Sequence, residues 1–196
     1  MKIILRAFIL PLIGILSCSD PVEKESTNLK YYDLNGLIDQ QLVWLIEFNP
    51  EIRKTAVLNG IPESSSMRLD SVQWARELKI FRDADLNKSR LRLEYRIVED
   101  LSEPTSNLKI RLYEAINKEM MEVEYLKIFY VEKEEDLRKL EASVREKNSL
   151  FSSKKTLYMT FEDDGNGSIK IKHFKIEGQQ KMILMDTVKF SLEVTL

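Results

Sequence analysis

Cys18 is the residue of this chain with the sharpest chemical meaning. It is the only cysteine among 196 residues, so no disulfide can form within the chain. A lone cysteine is most often a small buried hydrophobe. This one follows directly on an apolar run and is flanked by Ser17, Ser19 and Asp20, so its thiol reads as a site of modification. His173 is the only histidine, which excludes a His-rich metal site, and one cysteine cannot build a zinc site. Following Ile169 and Ile171 at strand spacing, it reads as a packed-side histidine held by a hydrogen bond, or as a surface one. Asp163-Asp164-Gly165-Asn166-Gly167 has the residue types of a calcium loop but neither its carboxylate spacing nor its distal glutamate, and reads as a hairpin turn. Glycoside hydrolysis needs two carboxyls flanking a bond. The many Asp and Glu residues here alternate with Lys and Arg, as on a solvated face, and no pair stands out. No nucleophile elbow or phosphate-binding glycine loop is present. The chain therefore reads as non-enzymatic, with no catalytic residue, metal or cofactor.

The stretch that positions Cys18 has the layout of an export signal. Lys2 and Arg6 form a basic segment, and Ala7 to Leu16 an apolar one, about half the roughly 20 residues of a membrane-spanning helix. Ile15-Leu16-Ser17-Cys18 resembles the end of a bacterial lipoprotein signal. The resemblance implies a diacylglyceryl group on the Cys18 thiol and cleavage before it, so that residues 1–17 are a signal peptide. Two or more acyl chains anchor a protein stably where one does so marginally.

Residues 18–30 are polar and nearly free of large apolar groups, too poor in burial to fold alone, and read as a lipidated, flexible tether. Asp20, Glu23 and Glu25 resemble the acidic export tag of surface-exposed lipoproteins of the Bacteroidota, and read equally as a solvated linker. The whole chain carries 30 basic and 32 acidic residues. Loss of Lys2 and Arg6 with the signal leaves 28 against 32, a formal net charge of −4. A mildly acidic chain without a basic cluster in its sequence argues against nucleic acid as partner. Residues 31–196 suit a single domain.

Within that domain, Asp33 is placed to cap a helix in which Leu34, Leu37, Ile38, Leu42, Leu45 and Ile46 recur at helical spacing, with Val43, Trp44 and Phe48 widening the apolar side. Pro50 stops it. Residues 51–58 read as a strand, Asn59-Gly60 as a hairpin turn, and Ser65 to Leu69 as the returning strand. A second helix is expected from Asp70 or Ser71 to about Leu86, burying Val72, Trp74 or Ala75, Leu78 and Phe81. Trp44, Phe48, Trp74 and Phe81 fit core packing, or the lining of a ligand pocket between the helices and a sheet.

Tyr32-Asp33-Leu34 opening a helix, Lys54-Thr55 through Asn59-Gly60, Trp74 with Glu77-Leu78, and Asp85-Leu86-Asn87-Lys88 together resemble a group of uncharacterised Bacteroidota lipoproteins. Ser89 departs from the proline often found there. The resemblance implies an envelope location and a helix–hairpin–helix start to the fold, without a known activity.

The remainder reads mainly as strands. Leu91-Leu93-Tyr95-Ile97 and Leu108-Ile110-Leu112 alternate with polar residues. Val123 to Val131, Tyr158 to Glu162, Ser168 to Ile176 and Lys181 to Leu196 follow, with Glu162–Gly167 and Glu177–Gln180 as connections. Residues 132–148 carry both helical and alternating patterns, and the resemblance favours a strand pairing with 155–162. The expected fold is α+β: two N-terminal helices packed on a curved, half-barrel-like antiparallel meander of six or seven strands. The expected function is a lipid-anchored protein of the bacterial cell envelope, at the outer membrane, that binds an apolar small molecule or lipid between helices and sheet. The alternative is a structural adaptor docking on an envelope protein; an enzyme with a carboxylate pair comes third.

Overall fold

The computed structural model describes residues 30–88, 91, 93–165 and 167–196. The signal segment, Ile15, Leu16, Ser17, Cys18 and the tether up to residue 29 lie outside them. Two helices, α1 (Leu34–Phe48) and α2 (Ser71–Asp83), accompany nine strands: β1 (Ile52–Leu58), β2 (Ile61–Met67), β3 (Tyr95–Ser102), β4 (Lys109–Ala115), β5 (Val123–Tyr130), β6 (Leu137–Lys147), β7 (Phe151–Asp163), β8 (Ile169–Met182) and β9 (Val188–Thr195). All nine join one antiparallel sheet in the order β2-β1-β9-β8-β7-β6-β5-β4-β3. The chain is thus α+β with the sheet dominant. β3 to β9 form a sequential meander, and the β1–β2 hairpin extends it by pairing β1 with β9.

Local chemistry sets the helix limits. Asp33 accepts from the Gly36 amide at 2.8 Å, and a Cβ at position 36 would stand 2.3 Å from the Asp33 carboxylate, so a larger residue there would displace the cap. Asn49 ends α1 in the left-handed region (φ 43°), one residue before Pro50. Asp70 and Gln73 form a reciprocal capping box at the start of α2. That helix stops at Asp83, short of the expected Leu86. Ala84, Asp85 and Leu86 instead turn inward and are buried.

The buried apolar residues of both helices and, Phe129 apart, of the strands form one core. Phe81 of α2 meets Phe174 of β8 edge-on, ring centroids 5.7 Å apart. α1 is bonded to the sheet through buried Gln41, which donates to the Ile169 carbonyl (3.0 Å) and accepts from the Ile171 amide (2.7 Å). β9 pairs with β8 only from His173 onward, so Gln41 satisfies backbone groups of β8 beyond that pairing.

Several expectations are corrected. Val43, Ile46 and Phe48 of α1 and Val72 of α2 are exposed rather than packed. The returning hairpin strand is Ile61–Met67, not Ser65 to Leu69. The strand expected from Leu91 to Ile97 begins only at Tyr95, in β3: turns from Leu91 N–H to the Lys88 carbonyl and from Glu94 N–H to the Leu91 carbonyl precede it, and Leu93 is 77% exposed. Glu177–Gln180 is not a connection. β8 runs through it, paired on both sides, because Gly178 allows β7 so close that a Cβ would lie 2.3 Å from the Lys154 carbonyl oxygen. The connection to β9 is 183–187, within the stretch expected to be strand. Of residues 132–148, 137–147 are the strand that the resemblance favoured, paired with β7, whereas Glu134–Asp136 form a single turn of 3-10 helix.

Candidate functional site

The four residues offered as a pocket lining fall into two groups. Trp74 and Phe81 are fully buried in the shared core. Trp44 and Phe48 lie against each other at the surface, ring centroids 5.6 Å apart, with the Lys170 ammonium 5.9 and 5.3 Å from their rings. None of the four lines the clefts of about 440, 740, 470, 240 and 140 Å³ on the described surface.

The residues with chemical potential are mostly engaged in structure. His173 bonds Glu193 across the sheet at 2.9 Å. In the turn after β7, Asp163 accepts from the Gly165 amide and Asp164 from the Ser168 amide, and the same carboxylates meet Arg138 (3.2 Å) and Lys170 (3.4 Å). These are the bonds of a turn. Tyr31, Tyr95 and Tyr113 pack edge-on, with centroids 5.7 Å apart for Tyr31 with each of the others.

A polar cleft of about 740 Å³ lies where the described chain begins, lined by Lys30, Tyr32, Asp33, Arg111, Tyr113 and Glu134 among others. Two of its charged groups are already engaged. Arg111 sits between Glu99 (3.1 Å) and Glu134, and Asp33 caps α1. Burial pushes the Tyr113 hydroxyl up to about 12 and raises Tyr32 further, so both phenols stay protonated at neutral pH. Neither is poised for acid–base work.

The opposite end of the sheet is different. β7 and β8 are 13 and 14 residues long and stay paired to their far ends, where Phe151 stands opposite Met182. Leu58, Ile61, Leu150, Met182, Ile183, Leu184 and Met185 are each at least 43% exposed there, Leu184 completely. They are contiguous: Ile61 pairs with Leu58, Leu58 shares an apolar cleft of about 240 Å³ with Met182, Met185, Val188 and Phe190, and the Ile183 amide bonds the Leu150 carbonyl at 3.0 Å. Leu184 lies in the left-handed region at φ 63°, at the apex of the loop. A β-branched residue would be strained there.

Behind this tip, the sheet face that carries Lys154 holds a second cleft of about 440 Å³, lined by Lys154, Thr156, Glu177, Gln179, Lys189 and Ser191 together with hairpin residues Val57 and Gly60. Sequence reasoning missed this site. Met182 to Met185 looks like buried strand, and the basic residues Arg145, Lys147, Lys154, Lys181 and Lys189 are scattered over four strands. The available signal was an apolar run between Lys181 and Asp186. No protein-family model, curated protein or solved structure matches the chain.

Proposed function

We propose that the protein is a non-enzymatic lipoprotein of the bacterial cell envelope that docks, through the far tip of its sheet, on a second surface. In this reading it belongs with the Bacteroidota lipoproteins that its motifs resemble. Cys18 carries the lipid, residues 18–30 are the tether, and the sheet curls around the two helices as half of a barrel at the outer membrane.

The observation that carries the reading is the apolar tip. Exposed leucines taken singly need no explanation, but seven contiguous large apolar side chains at one end of a domain are the mark of an interaction site. The filled core supports docking over carriage. Trp74 and Phe81, which would line a cavity between helices and sheet, are packed against neighbours with no exposure.

Labelling tests this. The Leu184→Cys thiol is compared with the Leu93→Cys thiol, using a maleimide small enough to enter the envelope. Docking predicts that position 184 reacts at least tenfold more slowly on cells than in the purified chain, while position 93 reacts alike in both. Equal rates at position 184 reject the proposal.

A further inference from the structure

The strand register places basic side chains directly behind the apolar tip. Lys147 stands opposite Ser152, and Ser152 opposite Lys181. One row further back, Arg145 faces Lys154, Lys154 faces Gln179, and Gln179 faces Lys189. Directly opposed residues project from the same face of a sheet, as do residues two apart along a strand. All five basic residues therefore share one face, and neither row contains a carboxylate.

Two of the five are engaged: Lys154 meets Glu124 at 2.6 Å, and Arg145 donates to the Lys118 carbonyl. Lys147, Lys181 and Lys189 form no ion pair with a described residue and are exposed. Lys189 lines the cleft of about 440 Å³, beside Gln179, Thr156 and Ser191. The one carboxylate in that cleft, Glu177, is held by Lys175 and the Tyr158 hydroxyl. Asp186, in the loop itself, is the acidic residue nearest the apex.

Resting on the docking reading, we infer that the surface met by the tip is an anionic lipid bilayer. Leu184, Ile183, Met185 and Leu150 enter the acyl boundary, and Lys147, Lys181 and Lys189 hold headgroup phosphates. An aliphatic apex backed by one sign of charge is the arrangement of an interfacial membrane anchor. The composition points away from a protein partner. Protein interfaces are enriched in Trp, Tyr, Arg and Met and depleted in Lys, and of the enriched types only Met is among the exposed apolar side chains of the tip, beside Leu, Ile and the lysines. The far ends of β7 and β8 lie on the order of 40 Å, at about 3.3 Å per residue, from the end of β8 that borders Lys30. The tip is thus a contact separate from the place where the described chain begins.

The test uses the mature lipidated chain with Leu184→Cys carrying an environment-sensitive fluorophore, reconstituted into vesicles of phosphatidylcholine alone or mixed with phosphatidylglycerol. The mass of the labelled chain shows one dye when Cys18 is lipidated and two when it is free. The expected result is a blue-shifted emission, quenched by acyl-chain quenchers, in the anionic vesicles. Lys181→Gln and Lys189→Gln each lower the inserted-to-free ratio roughly five-fold. The same dye at Leu93→Cys reports a folded chain and stays unshifted. A shift indifferent to headgroup charge and to both lysines overturns the inference. So does no shift in either vesicle. In that last case, slow labelling of position 184 on cells leaves the docking reading standing with a protein partner, and fast labelling removes both.

Discussion

Asn87 holds Tyr31 by both backbone groups: its Oδ1 accepts from the Tyr31 amide at 3.0 Å, and its Nδ2 donates to the Tyr31 carbonyl at 3.2 Å. The same Nδ2 lies 3.0 Å from the Tyr32 carbonyl. Asn35, in the first turn of α1, donates to Asp85 at 2.9 Å. The Tyr-Tyr-Asp-Leu-Asn and Asp-Leu-Asn-Lys motifs are therefore one latch, which fastens the start of α1 to the segment after α2. Asn87→Ala should destabilise the domain by about 2–4 kcal/mol, since several partly buried backbone groups lose their partner. Asn87→Asp, which keeps an acceptor and loses the donors, should not restore it. Urea denaturation of both variants measures this.

Trp74 is fully buried, and its indole N–H has no hydrogen-bond partner among the described residues. Its value lies in filled volume. Trp74→Ala should cost about 3–5 kcal/mol. Trp74→Phe keeps much of the ring and removes the orphaned donor, and should cost under about 2 kcal/mol. If Trp74 lined a ligand pocket instead, Trp74→Ala would leave thermal stability nearly unchanged.

Gly178 marks the closest approach of β8 to β7, with the Phe190 ring 3.1 Å from the position of a Cβ. Gly178→Ala forces the Lys154 carbonyl to move and should destabilise by about 1–3 kcal/mol. Exchange of the backbone amides around residues 153–156 should rise with it.

Burial raises the Glu124 carboxyl, but hydrogen bonds from Lys154 and Ser143 outweigh that and leave it below its ordinary value of 4.5. A carboxyl held lower in the folded state contributes stability above that ordinary value, and the contribution disappears as pH falls through the folded one. Glu124→Gln should cost about 1–2 kcal/mol at neutral pH, modest because Lys154 is half-exposed. It should also flatten the acid limb of the stability curve below pH 4.5, which denaturation at a series of pH values reads directly.

What was legible in the sequence was local. Asp33 and Asp70 announce helix starts because short acidic side chains accept from the next turn's amides. Asn59-Gly60 announces a hairpin because both residues tolerate positive φ, as they show at 50° and 87°. What was illegible depended on neighbours distant in sequence. Gly178 reads as a turn residue until β7 is set against it. Leu91-Leu93 alternates by accident, since turns, not a ladder, hold Leu91. Trp74 and Phe81 have a spacing that fits a core and a pocket wall equally. The tip was hidden most deeply, because an apolar run says that water is avoided without saying which surface replaces it.

Hydrogen–deuterium exchange of the chain in isolated envelopes, against the same chain extracted in detergent, tests the central claim most directly. The account predicts added protection confined to 147–152 and 181–188 in the envelope, with exchange around Trp44 and Phe48 unchanged. Protection around α1 and the inner strands with none at the tip would contradict it, and would return the working site to the space between helices and sheet.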